Sequence, residues 1–305
     1  GQEGLLFPTN WIEIIFNPSF PYRLVHMVTA AYLTTAFVVG GIGGYYLWRG
    51  RHPSHARIML GMAMIMAVFV APMQLIIGDM HGLNTFEHQP TKVSAMEGLW
   101  ETQRGAPLLL FGWPDQEAEV TRYAVEIPKL SSLILTHDLN GEVRGLKEWP
   151  SDERPPVAIV FWSFRVMVGL GVLMILTGLT GAVLYLRKKL FETRWFHVWC
   201  MLLTPAGFMA VLAGWVVTEV GRQPFIVQGA MRTSEAVSPV AAAPLTVSLL
   251  AFIITYTFIF GAGTYYILQL IAKGPQDSQQ AYGNHGMQDP PVVAKFGKRT
   301  STQKE

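Results

Sequence analysis

Val157–Leu186 reads VAIVFWSFRVMVGLGVLMILTGLTGAVLYL, thirty residues closed by Arg187-Lys188-Lys189, with Arg165 as the one charged side chain inside it. A hydrocarbon core about 30 Å thick is crossed by about 20 mostly apolar helical residues. The stretch therefore predicts a membrane-spanning helix. Four further runs have the same character, at residues 24–48, 58–77, 195–218 and 245–272. Pro72 and Pro205 lie inside two of them, which membrane helices tolerate when neighbours satisfy the freed backbone groups.

Composition agrees. Only 14% of the 305 residues are charged and 50% are hydrophobic, against about 25% charged in a soluble domain. A formal charge of +2 offers no basic excess for nucleic acid. The single cysteine, Cys200, excludes an intramolecular disulfide and any CxxC site. Redox chemistry here would need a bound cofactor. The chain opens on Gly1 and lacks a signal-peptide pattern, which reads as a processed or partial sequence.

The connecting segments set an orientation. The turn at 49–57 holds three Arg and no acid, and 187–194 holds four basic residues against Glu192; by the positive-inside rule both are cytoplasmic. Segment 78–156 holds thirteen acids against seven bases, and 219–244 is neutral. Both read as extracytoplasmic. The expected architecture is an all-α integral membrane protein of five helices, with a long extracytoplasmic loop between the second and third. Its parts are an interfacial lead-in at 1–23, two helices in 24–77, the loop at 78–156, three helices in 157–272 and a polar cytoplasmic tail at 273–305. The N-terminus lies outside and the C-terminus inside. WIEIIFNPSF, residues 11–20, has the aromatic content of an interfacial segment.

Ionisable groups within spans are expensive and therefore informative. His26 is either a histidine bonded to a neighbouring helix or a haem axial ligand, and position alone does not separate the two. Arg165 needs an anionic partner when buried; a haem propionate would serve, which makes nearby Met167 a candidate second axial ligand. Glu219 and Arg222, three apart, form an interfacial salt bridge, or Glu219 ligates a high-spin iron. His197, between Trp195 and Trp199, reads as part of the interface belt. The methionines of the second run read as packing residues, and Gly40, Gly41, Gly43 and Gly44 as a surface for close helix contact. Lys92 and Glu97 in the loop are a solvated pair, or they hold and deprotonate a quinol.

Six blocks carry a resemblance: NPSFPYRLVHM at 17–27, TKVSAMEGLWETQ at 91–103, FGWPDQE at 111–117, GLKEW at 145–149, FRVMVG at 164–169 and AGWVVTEVGRQPF at 213–225. In this order they resemble the haem-bearing subunit I of cytochrome bd-type quinol oxidases. The resemblance implies His26 and Met167 as axial ligands of a low-spin haem b, with Arg165 close by. It makes Glu219 a ligand of a high-spin haem, Trp215 and Arg222 part of the haem environment, and Lys92 and Glu97 quinol-oxidising residues. The implied cofactors are low-spin haem b, a high-spin haem b, and haem d or a further haem b. The implied partners are membrane lipid, a subunit II, quinol and O2, in a bacterial inner membrane. The implied activity passes electrons from quinol to O2, forming water and a proton gradient without a dedicated pump.

Two departures stand out. Phe225 replaces the tryptophan that usually closes GRQPW, and the stretch between GLKEW and FRVMV is short, as in the short-loop branch that includes cyanide-insensitive oxidases. Family members also carry about four further spans before the position of Tyr22, so the chain is expected to be the C-terminal part of such a subunit, unable to reduce O2 alone. Two other classes remain open: a haem b subunit exchanging electrons with quinone without O2, and a transporter whose Arg165 binds an anion.

Overall fold

The structure, a computed structural model, describes residues 10–237 and 240–275. The chain falls into two units, 1–240 and 241–305. Five helical segments are long and apolar enough to cross a membrane: Phe20–Arg49, Pro53–His88, Val157–Leu186, Arg194–Val220 and Ala242–Lys273. The five predicted spans are thus present. Most of the tail, from residue 276 on, and residues 1–9 of the lead-in lie outside the described residues.

In the first unit a short helix α1 (Trp11–Ile15) precedes α2 (Phe20–Arg49). Asn10 caps α1, its side-chain oxygen accepting from the Ile12 N–H at 3.0 Å. Trp11 and Phe16 are exposed. A turn then leads into α3 (Pro53–His88), whose Pro53 occupies the first turn, where no backbone donor is lost. Helix α3 does not end at Ile77, where the hydropathy falls; it continues eleven residues to His88. Polarity ended the membrane signal, but nothing in GDMHGLNTFEH breaks a helix.

Segment 78–156 beyond α3 is folded. It contains α4 (Pro90–Glu97), α5 (Leu130–Thr136) and four strands: β1 (Gln103–Arg104), β2 (Leu108–Asp115), β3 (Val120–Ile127) and β4 (Glu142–Val143). Strand β2 pairs antiparallel with β3, and β1 with β4. These short antiparallel pairs are additions to a chain that is otherwise helical. Gly98 ends α4 at φ +67°, a conformation that glycine adopts without a Cβ penalty. Val93, Ala95, Met96 and Trp100 then form a core with Val157 and Val160 of α6 (Val157–Leu186) and Val217 of α8 (Ala206–Val220). The segment is packed onto the ends of two spans.

The fourth span is two helices, α7 (Arg194–Leu202) and α8. Pro205 has no N–H to continue the ladder, so the helix breaks at 203–205 and restarts. Pro72, by contrast, stays inside continuous α3. A last hairpin, β5 (Phe225–Val227) with β6 (Met231–Arg232), follows α8, and Arg232 bridges to Asp152 at 2.8 Å. The second unit holds one long helix, α9 (Ala242–Lys273).

Helices α2, α3, α6 and α8 touch in a ring, α2 to α3, α3 to α6, α6 to α8 and α8 back to α2. Their middle layer is Leu33, Ala71, Met174 and Ala206. Small residues set the spacing toward the far end. A Cβ at Gly43 would lie 3.0 Å from the Leu60 nitrogen, and one at Gly44 would lie 2.8 Å from the His197 carbonyl oxygen. The glycine run is a packing surface, as its composition predicts. His197 is not in an interface belt: it is buried against this surface, and its Nε2 lies 2.9 Å from the Leu190 carbonyl. Its neighbour Trp195 is the exposed one. Gly44→Leu is expected to lower the thermal midpoint of the detergent-solubilised protein through an overpacking cost of about 1–3 kcal/mol.

Candidate functional site

Helices α2 and α6 stand across the ring from each other and run in the same direction, because each is antiparallel to α3. Gly43 of α2 abuts Leu60 of α3 while His26 abuts Gly78; on the other side Gly178 of α6 abuts Ala67, and Met174 packs with Ala71. His26 lies seven residues before Leu33, and Met167 seven before Met174. Seven residues are two helical turns, about 10 Å. His26 and Met167 therefore stand at one level on opposite walls.

The helices between them present glycine at that level. A Cβ at Gly78 of α3 would meet the His26 Cε1 at 3.2 Å, and one at Gly214 of α8 would meet the Met167 Sδ at 2.8 Å. One layer thus combines an imidazole, a thioether and two side walls without side chains. An imidazole and a thioether are side chains that can ligate low-spin haem iron, and side chains in place of Gly78 or Gly214 would crowd them. The residues fit a haem.

Gln74 of α3 supports His26. Its amide nitrogen lies 3.3 Å from the His26 Nδ1 and donates to the His26 carbonyl at 3.0 Å, while Thr29 bonds the same amide. An interhelical bond is what an ordinary membrane histidine makes; a ligating imidazole also has its second nitrogen held by a neighbour. Two turns farther along α3, the His81 ring stands 5.6 Å from the His26 ring.

Arg165 is the ninth residue of α6. Its Nε and Nη2 donate to the Leu109 carbonyl at 3.0 and 2.6 Å, its Nη1 donates to the Met96 carbonyl, and its guanidinium carbon lies 3.8 Å from the Phe161 ring centroid. Its partners are loop carbonyls and an aromatic face, with the Glu97 charge nearby.

Lys92 and Glu97 are not a solvated pair. They are 5% and 6% exposed, and α4 directs them to different partners. The Lys92 Nζ donates to the Thr218 carbonyl at 3.2 Å, and the Glu97 Oε2 accepts from the Ser131 hydroxyl at 3.1 Å. Desolvation dominates both. It lowers the Lys92 ammonium to about 8, helped by the Arg222 and Arg23 charges and opposed by Glu219. It raises the Glu97 carboxyl against the opposing pull of Arg165 and Ser131.

Glu219 sits on the other side of α8 from Gly214. Arg222 Nη2 donates to its Oε1 at 3.3 Å, so the salt bridge expected from the spacing is present. Trp215, one turn earlier, is 64% exposed and continues a stripe with Leu212 and Phe208. The layer thus separates into a His26–Met167 slot inside the ring and a Trp215–Glu219 face outside it.

Residues 2–275 match the sequence model of the family described as cytochrome bd terminal oxidase subunit I. The chain belongs to that family. It is 32% identical over 274 residues to cytochrome bd ubiquinol oxidase subunit 1 of Bacillus subtilis, covering 86% of this chain and 58% of that protein. It is 29% identical to cytochrome bd-II ubiquinol oxidase subunit 1 of Escherichia coli, covering 89% and 66%. Among solved structures, the bd oxidase of Geobacillus thermodenitrificans superposes with a TM-score of 0.80 at 31% identity, over 90% of this chain and 63% of that one. The chain spans about three-fifths of the length of the curated relatives it matches.

Sequence reasoning missed Arg23, Gln74, His81 and Gln89. Arg23 could have been found, because it precedes His26 by three residues and shares its helical face. Gln74 lies within the predicted second run, and His81, seven residues on, shares its face once that helix is extended past Ile77. Gln89 announces itself only in three dimensions, through a buried Oε1 with no hydrogen-bond partner.

The Lys92 environment gives a pH signature. Below about pH 8 folded and unfolded chains both carry the proton, and the burial penalty is present in full. Between about 8 and the ordinary 10.5 the unfolded chain binds a proton that the folded chain has released, so stability rises with pH. Lys92→Met is expected to raise the thermal midpoint at pH 7, relieving a penalty on the order of 3 kcal/mol, and to flatten the rise toward pH 10. Melting curves across that range check both effects.

Proposed function

We propose that this chain is the haem-bearing part of a terminal quinol oxidase, a quinol:O2 oxidoreductase of the bd type, in which His26 and Met167 ligate a low-spin haem b. The single observation that carries the reading is the shared layer: His26 and Met167 at one level on facing helices, with Gly78 and Gly214 on the walls between. The haem accepts and passes on single electrons when bound. The protein residues do the rest. Gln74 fixes the His26 ring, and Gly214 lets α8 approach close enough to hold the Met167 thioether.

Lys92 and Glu97 take the quinol end of the reaction. Lys92, close to its titration point at neutral pH, is suited to hold a quinol oxygen. Glu97, with its carboxyl raised out of the ordinary range, is a stronger base than an exposed carboxylate and is suited to receive a proton. Their different partners assign them to different points of the substrate. Arg165 bears on Glu97 indirectly, since it holds the Met96 carbonyl beside it.

Glu219 is proposed as a ligand of a high-spin haem, b or d, on the outer face of α8, with Trp215 against the macrocycle and Arg222 balancing the carboxylate. A subunit II, O2 and the remainder of a full-length subunit complete the proposed assembly. It lies in a bacterial inner membrane with the 78–156 segment outside and the C-terminus inside, which the acidic segment and the basic turns support.

His26→Ala and Met167→Ala are each expected to abolish the low-spin b band in reduced-minus-oxidised spectra of membranes; retention in both would sink the ligation. Glu97→Gln preserves the bond from Ser131 and is expected to slow quinol oxidation at least tenfold with the haem spectrum unchanged. Glu219→Ala separates an O2-reducing complex, where a high-spin haem is perturbed, from a subunit that only exchanges electrons with quinone, where it is not.

A further inference from the structure

Arg165 has little left to offer an anion, since Met96, Leu109 and Phe161 already occupy its guanidinium. Arg23 is the opposite case. It stands three residues before His26 on α2, hence on the same face and about 4.5 Å nearer the loop end. Its Nε is buried and has no hydrogen-bond partner, and among the described residues no carboxylate forms an ion pair with it. Glu219, whose charge it feels, is paired with Arg222. A buried guanidinium N–H without an acceptor calls for an explanation, and an anion that arrives with a cofactor is one.

A haem has the polarity to supply that anion. Its ring is apolar and its two propionates lie on one edge, so the macrocycle in the His26–Met167 slot turns that edge toward the nearer aqueous side. From the His26 level, this is the direction of Arg23. We propose that Arg23 binds a propionate of the haem held by His26 and Met167 and, through that contact, raises the haem's reduction potential. The proposal rests on the ligation argued above. The sign follows from charge: the reduced haem is one unit more negative than the oxidised haem, so a fixed cation at its edge favours reduction. Lys92 and Arg222 lie in the same field and share in this effect. Only Arg23 among the three has a buried, unpartnered donor.

Redox titration of the intact oxidase complex carrying this chain, followed at the low-spin band, tests the contact. Arg23→Gln is expected to move the equilibrium about tenfold toward the oxidised haem, a fall of about 59 mV for a one-electron couple. Arg23→Lys, which keeps the charge, is expected to stay within threefold of the parent, and Arg165→Gln to move the potential less than Arg23→Gln. A shift under twofold in haem-loaded Arg23→Gln overturns the proposal. If that variant does not load haem, Arg23→Lys decides through the redox difference infrared spectrum with isotope-labelled propionates. There the carboxylate band moves if guanidinium is its partner, and an unmoved band overturns the contact. Retention of the low-spin band in both His26→Ala and Met167→Ala would instead overturn the ligation, and the Arg23 contact with it.

Discussion

The guanidinium of Arg165 holds the 78–156 segment to the helix bundle. It draws the carbonyls of Met96 and Leu109 onto α6, one from the end of α4 and one from β2. A charge at the ninth position of an apolar run would be hard to retain without such partners. With them, it fixes α4 over the ends of α6 and α8, where Val93, Met96, Val160 and Val217 close the contact. The burial of Lys92 and Glu97, and so their displaced acidities, follows from that seating.

The second constraint is distance between helices. Glycines at 43 and 44 bring α2 against α3 and α7, while Gly78 and Gly214 do something different two turns beyond the middle layer. There the small residues border functional side chains. The same residue type therefore serves tight packing at one end of the bundle and, on the proposed ligation, would leave room for a ring at the other.

Much of this was legible in the amino-acid sequence. Hydropathy marks all five spans, and loop charge distinguishes their two ends. The proposed axial pair His26 and Met167 depended on resemblance, because a lone histidine and one methionine of fourteen carry no geometry of their own. What hydropathy could not supply was anything set by non-local contact. The run of α3 to His88, the break before Ala206 and the β2–β3 hairpin are local features that a membrane-span window overlooks. The burial of Lys92 and Glu97, and the carbonyl partners of Arg165, involve residues dozens of positions away. The expectation that Arg165 needs an anion was sound electrostatics, but backbone dipoles can also solvate a guanidinium, and here Met96 and Leu109 supply them.

Helix α8 turns Gly214 toward Met167 and Trp215 and Glu219 away from it. A helix with its side chains is about 10–12 Å across. Cofactors seated on those two faces would be separated by one helix thickness, and less where glycine thins the wall. Electron tunnelling over such a gap needs no moving part, so neither face would have to shift for electrons to pass between them.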